Sequence, residues 1–398
     1  MSMDTHHTTL SDRLTFPEEN RISVGFLAAG IIGVILSLIG LVVNTEQFFY
    51  SYLTSFAFIA SLVLGALFFV MVQHVTRSSW SVVIRRIPET ISYQLVWLGI
   101  LFIPILFGME ILYEWTRPER IATDALTQHK LPYLNLPFFI IRNIIYFAVW
   151  AYLGYKLYRN SIAMDRNPDP ALDRQQRVLS APGLLIFAFT VAFASFDWLM
   201  SMDSHWFSTM FGVYYFAMSF QTILAVVIAL VLYLFRKGLL TNTINKAHIH
   251  DLGAFLFGFS VFYAYIAFSQ FLLIYYANIP EATLWFYYRF EGNWIVLAWL
   301  FLIGRFVIPF VLLLKRKAKT NYKLLMGVSL WIIALQFLEM FWIVMPILHQ
   351  GAFSIHWLDI ALLLAFFGIS AGLFFRQFGK HSMIPKNDPL LTESLNKH

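Results

Sequence analysis

Ten long apolar runs account for most of this chain of 398 residues. A bilayer core of about 30 Å is crossed by about 20 helical residues, and each run reaches roughly that length. The runs predict an all-α polytopic membrane protein with ten transmembrane helices. They lie at residues 22–43, 50–73, 89–112, 136–157, 181–200, 210–235, 251–277, 292–314, 322–347 and 355–375.

The distribution of basic residues predicts how these helices are oriented. If all ten runs span, four of the 28 Lys and Arg lie on one side, two lie within helices, and the remaining 22 lie on the side that carries both chain ends. Lys and Arg accumulate in cytoplasmic loops, so both termini are predicted to be cytoplasmic. The chain then divides into a cytoplasmic N-tail at 1–21, a ten-helix membrane domain at 22–377 and a cytoplasmic C-tail at 378–398. We expect the polar C-tail to lie loosely against a partner or the lipid surface.

Composition excludes several classes of function. Hydrophobic residues make up 59% of the chain and charged residues 13%, which is far from a soluble domain. The net charge of +6 comes from loops that face anionic lipid, so it does not indicate nucleic-acid binding. The chain has no Cys and therefore no disulfide, no thiolate-ligated iron–sulfur cluster and no covalent haem c site. We expect no redox cofactor, no metal site, no ATP site and no catalytic residue in this chain.

The helices show a candidate internal repeat. Without the first and last, helices 2–5 and 6–9 form two sets of four, and the third helix of each set carries an Arg, Arg142 or Arg305. The fourth helix of each set carries an acid, Asp197 or Glu339. Two four-helix bundles with inward-facing polar residues are therefore predicted, with one helix flanking at each end. The first bundle is placed at 50–200 and the second at 210–347.

Ionisable residues inside the apolar runs are the main functional signal. A charged side chain at the centre of a membrane helix costs about 2.5–3.5 kcal/mol on insertion scales, so it usually faces the bundle interior and has a partner. These residues form one cluster near the cytoplasmic face and one in the external half, with Arg305 close to the middle. Buried carboxylates and imidazoles can pass protons when their pKa values approach neutrality. The candidate proton path consists of Asp197, Asp203, His205, His250, Asp251, Arg305, Glu339 and Asp359.

The same residues also have structural explanations. Glu89 follows Pro88 at the predicted start of helix 3, where a carboxylate favours the helix dipole, and Asp251 can cap helix 7. His356 and Asp359 lie at a membrane interface, where polar groups are tolerated. Two static ion-pair networks that hold the bundles together would look the same in the sequence. The residues alone leave both interpretations open.

Residue spacing places some polar side chains on shared faces. Gln336 and Glu339 are three residues apart and Arg142 and Tyr146 are four apart, so each pair lies on one helical stripe. Helix 7 carries a further polar line formed by Ser260, Tyr263 and Gln270.

Three long stretches carry a resemblance to a known family. Residues 195–216 read SFDWLMSMDSHWFSTMFGVYYF, residues 250–289 read HDLGAFLFGFSVFYAYIAFSQFLLIYYANIPEATLWFYYR, and residues 65–88 read GALFFVMVQHVTRSSWSVVIRRIP. With the ten-helix layout, they resemble the NrfD-like membrane subunits of alternative complex III, a bacterial quinol:cytochrome c oxidoreductase. The resemblance covers essentially the whole chain and is closer to the ActF type than to the longer ActC type.

The resemblance implies a fold, a membrane and a set of partners. It implies two four-helix bundles with flanking helices, in a subunit of the bacterial cytoplasmic membrane that has no redox centre of its own. The partners implied are a second NrfD-like subunit and subunits that carry haem c and iron–sulfur clusters. The resemblance assigns quinol to the other subunit type, where a His-Asp pair is implicated in related chains. The matching pair here, His250 and Asp251, falls at a cytoplasmic helix end, so we assign it to proton uptake.

Two other functions stay open. This chain itself could bind quinol, because an external cluster of acids and His is ringed by Phe and Trp. The cluster consists of Asp197, Asp203, His205 and Glu339. A secondary transporter is the other alternative, since Pro104 and Pro309 interrupt helices 3 and 8 as in broken transporter helices.

Overall fold

The architecture comes from a computed structural model, which describes residues 15–397. Within that range every regular element is helical, and ten helices, numbered α1 to α10, are long and apolar enough to cross a membrane. They cover Asn20–Val43, Thr45–Val75, Ser79–Phe107, Leu136–Arg166, Pro170–Met202, Met210–Arg236, Lys246–Ala277, Trp294–Leu313, Tyr322–Ile347 and Trp357–Gly379. The all-α fold and the ten spanning helices are confirmed, and the chain is a multi-pass membrane protein.

Eight of the helices pack as two rings of four. Helices α2, α3, α4 and α5 form bundle 1, and helices α6, α7, α8 and α9 form bundle 2. The bundles meet where α2 contacts α6 and α9 and where α5 contacts α6. This position explains why 89% of the apolar stretch of α2 is buried inside the protein, against 22% for α1. A helix that is apolar on all sides suits such a central position.

The first and last helices form a close antiparallel pair beside bundle 1. Ser23 near the start of α1 donates a hydrogen bond to the carbonyl of Gly372 near the end of α10, at 2.9 Å. At Gly33, an added Cβ would lie 2.4 Å from the backbone nitrogen of Ala365. Small residues let membrane helices approach this closely. The start of α1 and the end of α10 therefore lie on one side of the helix array, which we call the terminal face; the other side is the opposite face.

Helix α3 begins earlier than the sequence predicted. The segment expected to be a loop up to Pro88 is helical from Ser79, and the helix bends at Tyr93 and Gln94 instead. Glu89 is consequently fully buried inside α3 and does not start a helix, so its predicted role at a helix N-terminus is wrong. The extra turns can be buried because their arginines are paired with acids, as described below.

The two prolines that suggested broken helices do not break them. Pro104 lies inside the helical segment Leu95–Phe107, and Pro309 lies within the continuous span of α8. Just before Pro309, residues Phe301–Val307 form a π-helical turn that contains Arg305. The distortion of α8 therefore sits at the buried Arg, and π-turns of this kind are frequent at functional sites.

The C-tail does not lie loosely; it is bound to the terminal face. Met383 and Ile384 are buried, and a short helix at Leu391–Leu395 packs against the start of α3. Polar contacts connect the tail to both bundles, because a salt bridge joins Asp388 to Arg85 of α3 and another joins Lys397 to Asp251 of α7. The expected loose placement is wrong because buried charges of the helices need partners that the tail supplies. Residues 1–14 of the predicted N-tail lie outside the described residues.

Candidate functional site

The most buried polar centre lies in the middle of bundle 2. Arg305 of α8 and Glu339 of α9 are completely buried and form a salt bridge through Nη1 and Oε2. Arg305 Nε also donates to Gln221 Oε1 of α6 at 2.8 Å, and its Nη2 donates to Gln336 Oε1 at 2.5 Å and Thr222 Oγ1 at 3.0 Å. The guanidinium therefore stays hydrogen-bonded to neutral groups in addition to the carboxylate.

Two tyrosines complete this centre on the side of the carboxylate. Tyr263 of α7 donates its phenol hydrogen to Glu339 Oε1 at 2.7 Å, and Tyr214 of α6 donates to the same oxygen. The guanidinium of Arg305 lies 4.5 Å from the centre of the Tyr263 ring. All four helices of bundle 2 thus contribute a side chain to this ion pair or to the groups that hydrogen-bond to it. We call Arg305, Glu339, Tyr214 and Tyr263 the bundle 2 centre.

Bundle 1 has a corresponding centre nearer the opposite face. Arg142 of α4 and Asp197 of α5 form a bidentate pair, with Nε–Oδ2 at 2.9 Å and Nη2–Oδ1 at 2.8 Å. Tyr146 donates to Asp197 Oδ2 at 3.0 Å, and the guanidinium of Arg142 lies 3.9 Å from the Tyr133 ring centre. As the repeat predicted, an Arg of the third helix meets an acid of the fourth helix in each bundle.

A third polar cluster lies in bundle 1 towards the terminal face. Glu89 of α3 is bridged by Arg85 at 3.1 Å and Arg86 at 3.6 Å. Arg85 also pairs with Asp388 of the C-tail, and Arg86 pairs with Asp165 at the end of α4 at 2.6 Å. We call these five residues the terminal-face network. Two arginines against three carboxylates make the network acidic overall when all five are ionised.

The eight predicted site residues do not form one continuous path. Asp197, Arg305 and Glu339 belong to the two bundle centres. His250 and Asp251 are partly exposed at the terminal face, where the imidazole Nδ1 lies 3.5 Å from Asp251 Oδ1. These five residues therefore lie in three separate parts of the protein, one in each bundle and one at the terminal face.

The remaining three predicted residues lie at the opposite face. Asp203 accepts a hydrogen bond from the backbone of His205 at 3.0 Å, and His205 Nε2 lies 2.6 Å from Asp124 Oδ2. A hydrogen bond from Thr127 and a smaller effect of the hydrogen bond from His205 hold the pKa of the Asp124 carboxyl well below its usual value. Asp359 is buried at the start of α10 and accepts hydrogen bonds from Ser51, at 2.5 Å, and from the backbone of His356, at 2.8 Å.

Several residues of these centres were not predicted as site residues. The sequence did indicate that Tyr146 shares a stripe with Arg142 and Gln336 with Glu339, and both side chains join the centres as that spacing suggests. Tyr214 and Gln221 carry no comparable signal, because their partners are more than eighty residues away. Arg85 and Arg86 were assigned to a loop, so their pairing inside the membrane domain was missed.

A cavity of about 400 Å³ leads from the surface of bundle 2 to its centre. Its inner end is formed by Tyr214, Tyr263 and Glu339, while its outer rim includes Phe268 and Trp299. These two rim residues are 59% and 55% exposed on the apolar surface between α7 and α8. A ligand would therefore reach the cavity from the lipid phase.

Comparison with known proteins adds no family to these observations: no protein-family model matches the chain, and no curated protein is significantly similar to it. The chain contains no cysteine, and within residues 15–397 no three His, Asp or Glu side chains come close enough together to hold a metal ion.

Proposed function

We propose that this chain is an integral membrane subunit of a bacterial respiratory quinol:cytochrome c oxidoreductase of the alternative complex III type, and that it conducts protons through its bundles. The proposal assigns haem c and iron–sulfur clusters to partner subunits, together with a second NrfD-like subunit. It places the chain in the cytoplasmic membrane with the terminal face towards the cytoplasm. The three sequence stretches that resemble this family support the assembly, and the buried bundle 2 centre supports proton conduction.

The observation that carries proton conduction is the set of partners around Glu339. Ionised Glu339 is balanced by Arg305 and accepts hydrogen bonds from Tyr214 and Tyr263. If a proton arrives at the carboxylate, Arg305 remains bonded to Gln221, Gln336 and Thr222. These neutral oxygens solvate the guanidinium but do not balance its charge, so the protonated state of Glu339 is accessible at a higher free energy than the ionised state. A buried carboxylate with two supported states is what a proton carrier requires.

The substitution Glu339→Gln tests this step in the assembled complex. We expect quinol oxidation to continue while the number of protons translocated per electron falls by at least half, measured in vesicles with a pH-sensitive dye. Glu119→Gln, at an exposed position of the opposite face, is the control and should leave the ratio unchanged. An unaltered ratio in Glu339→Gln would contradict proton conduction by this centre.

A tag on this chain tests the assembly itself. Purification in mild detergent should bring haem c and iron–sulfur subunits with it, visible in the absorption spectrum and by mass spectrometry. A colourless chain that elutes alone and stays monodisperse would contradict membership in a respiratory complex.

The cavity of bundle 2 favours quinol binding by this chain as a second candidate function. Its lining is largely aromatic, its mouth faces lipid, and a carboxylate with two phenols lies at its inner end. A pocket of a few hundred Å³ with a few convergent polar groups is typical of small-molecule sites. An azido-quinone should then label peptides of α7 or α8, and excess quinone should suppress the label. Label confined to another subunit would contradict this function.

A further inference from the structure

A glutamine lines the bundle 2 cavity in addition to the bundle 2 centre. Gln270 of α7 is 3% exposed, and its Oε1 has no hydrogen-bond partner among the described residues. Its neighbours in the lining of α7, Ala267 and Phe271, offer no polar side chain. Buried polar atoms in native proteins almost always have a partner. Because the cavity opens towards lipid and not towards bulk water, we expect a bound molecule to supply the missing donor.

The polar groups at the inner end of the cavity also lack a donor for a ligand. Tyr214 and Tyr263 both donate their phenol hydrogens to Glu339 Oε1, and Glu339 Oε2 is paired with Arg305. A hydroxyl group has one hydrogen to donate, but its oxygen can still accept. The two phenol oxygens are therefore available to a ligand only as acceptors. Gln270 Oε1 is an acceptor as well, so both polar parts of the cavity require donors from the ligand.

These two polar parts lie at separate levels of the same helix face. Tyr263 and Gln270 both line the cavity and are seven residues apart, so they share a stripe of α7 and are separated by about 10 Å along its axis. A single hydroxyl group cannot reach both levels. A flat ring with a hydroxyl group at each of two opposite positions can, and the largely aromatic walls of the cavity suit such a ring.

The wall of the cavity towards the opposite face is held firmly in place. It includes Trp285 of the short helix Pro280–Phe290. The Trp285 ring stacks on Trp206 with 4.6 Å between ring centres, and the guanidinium of Arg289 lies 3.7 Å from the centre of the Trp285 ring. Arg289 also donates to the carbonyl of Ile343 on α9. A wall fixed by such contacts is formed before the ligand arrives, which lowers the entropy cost of binding.

We propose that the bundle 2 cavity selects the reduced, dihydroxy form of a para-quinone ring, and that Gln270 is the residue that makes this selection. One ligand hydroxyl donates to Gln270 Oε1, and the other donates to the phenol oxygen of Tyr214 or Tyr263. The oxidised form carries two carbonyls, which only accept, so it leaves Oε1 unpaired. A site built around a ligand hydroxyl discriminates against the analogue that lacks it. The inference rests on quinol binding as the second candidate function and adds the redox form and the selecting residue.

Two probes that differ only in their donors test this selection. The protein, purified in detergent without an electron acceptor, is titrated with a short-chain alkyl hydroquinone and with the dimethyl ether of the same molecule. Binding is followed by the tryptophan fluorescence, since Trp285, Trp299 and Trp342 line the cavity. We expect the hydroquinone to bind about tenfold tighter or more, because the ether keeps the ring and both oxygens but has no hydrogen to donate. Gln270→Met removes the acceptor and should reduce this ratio to about twofold or less, mainly by weakening the hydroquinone.

A matched control and the pattern of outcomes separate this inference from the proposed function. Gln377→Met makes the same substitution on α10, where the amide donates to Tyr158 at 3.2 Å and does not line the cavity, so the ratio should stay unchanged. The larger size of the ether does not explain a ratio that depends on Gln270. Equal affinities for the two probes, or a ratio that Gln270→Met leaves unaltered, would overturn the inference alone. Binding of neither probe would overturn quinol binding by this chain as well, whereas proton conduction is tested separately by Glu339→Gln.

Discussion

At the scale of single residues, the acids of the two bundle centres are tolerated in the membrane because each one has an arginine and at least one tyrosine as partners. Asp197 is held by Arg142 and Tyr146, and Glu339 is held by Arg305 and by two tyrosines. Removing one charge from such a pair leaves the other buried without compensation, whereas removing both does not. The two members of each pair therefore serve mainly to neutralise each other, and the pair as a whole adds little to the free energy of unfolding.

This balance predicts a non-additive mutant cycle in bundle 1. Asp197→Asn should lower the free energy of unfolding by about 3–5 kcal/mol, because Arg142 loses its counter-charge. The double substitution Arg142→Gln with Asp197→Asn should cost clearly less than the sum of the single changes. Thermal unfolding of the purified protein in detergent measures both. Additive losses would mean that the two groups are stabilised independently.

At the scale of elements, the pair of α1 and α10 shows packing by small residues without any polar centre. Gly33 allows the backbones to touch, since any side chain there would meet the backbone of Ala365. Gly25, two turns earlier on α1, has open space around it. The two glycines are chemically identical and differ only in what faces them.

This difference predicts opposite results for two alanine substitutions. Gly33→Ala should lower the free energy of unfolding by about 1–3 kcal/mol, the usual cost of overpacking a tight contact. Gly25→Ala should be neutral or slightly stabilising, because Ala favours the helix. Melting temperatures of the two variants in the same detergent compare them directly. Equal melting temperatures would show that α1 and α10 can move apart to admit the added methyl group without a loss of stability.

The C-tail is the element whose docking should depend on pH. His381 stacks edge-on against Tyr158, and burial lowers the pKa of His381, with Arg86, Arg166 and Lys380 adding to the effect. Below the ordinary His pKa of about 6.5 a released tail binds a proton more readily than the docked tail. Docking is therefore at full strength above about pH 6.5 and weakens as the pH falls.

Labelling of a cysteine at Ile384 by an impermeant thiol reagent provides the measurement, because Ile384 is fully buried in the docked tail. Its rate, relative to that of a cysteine at the exposed Thr241, should rise as the pH is lowered from 7.5 to about 5.5, a range that includes the ordinary His pKa. The substitution His381→Asn should remove this dependence while leaving labelling at pH 7.5 low. A rise that persists in His381→Asn would assign the pH dependence to another group.

At the scale of the whole molecule, two bundles of similar composition place their ion pairs at different depths. Arg305 and Tyr263 lie near the middle of α8 and α7, whereas Arg142 and Asp197 lie at most six residues from the ends of α4 and α5 at the opposite face. At its other end, bundle 1 has the terminal-face network. The molecule thus has polar layers at several depths, with apolar packing between them.

The orientation of the whole molecule is open to a simple test. The excess of Lys and Arg on the terminal face predicts that this face is cytoplasmic. A cysteine at Thr241 should then react with an impermeant thiol reagent only after the cells are opened. A cysteine at Glu119, on the opposite face, should react in intact spheroplasts. The reverse pattern would place the opposite face in the cytoplasm and the terminal face outside it.

The sequence by itself determined the ten helices, the class of protein and the types of residue that meet in each bundle. These follow from the transfer of apolar side chains into lipid and from the cost of a buried charge, which depend on local composition along the chain. Spacing of three or four residues also placed Tyr146 and Gln336 correctly beside their centres. Such short-range rules need no knowledge of which helices are neighbours.

The tertiary structure alone decided which groups are partners. Arg85 and Asp388 are 303 residues apart in the chain, and Tyr214 and Glu339 are 125 apart. Once α2 and α3 pack together, the buried Arg85 and Arg86 need acids in addition to Glu89, and the C-tail and α4 provide them as Asp388 and Asp165. The expected loop is therefore helical, and the expected loose tail is bound to the terminal face. Hydrogen bonds and ion pairs act over a few ångströms in space, so their partners are set by how the helices pack and not by the order of residues along the chain.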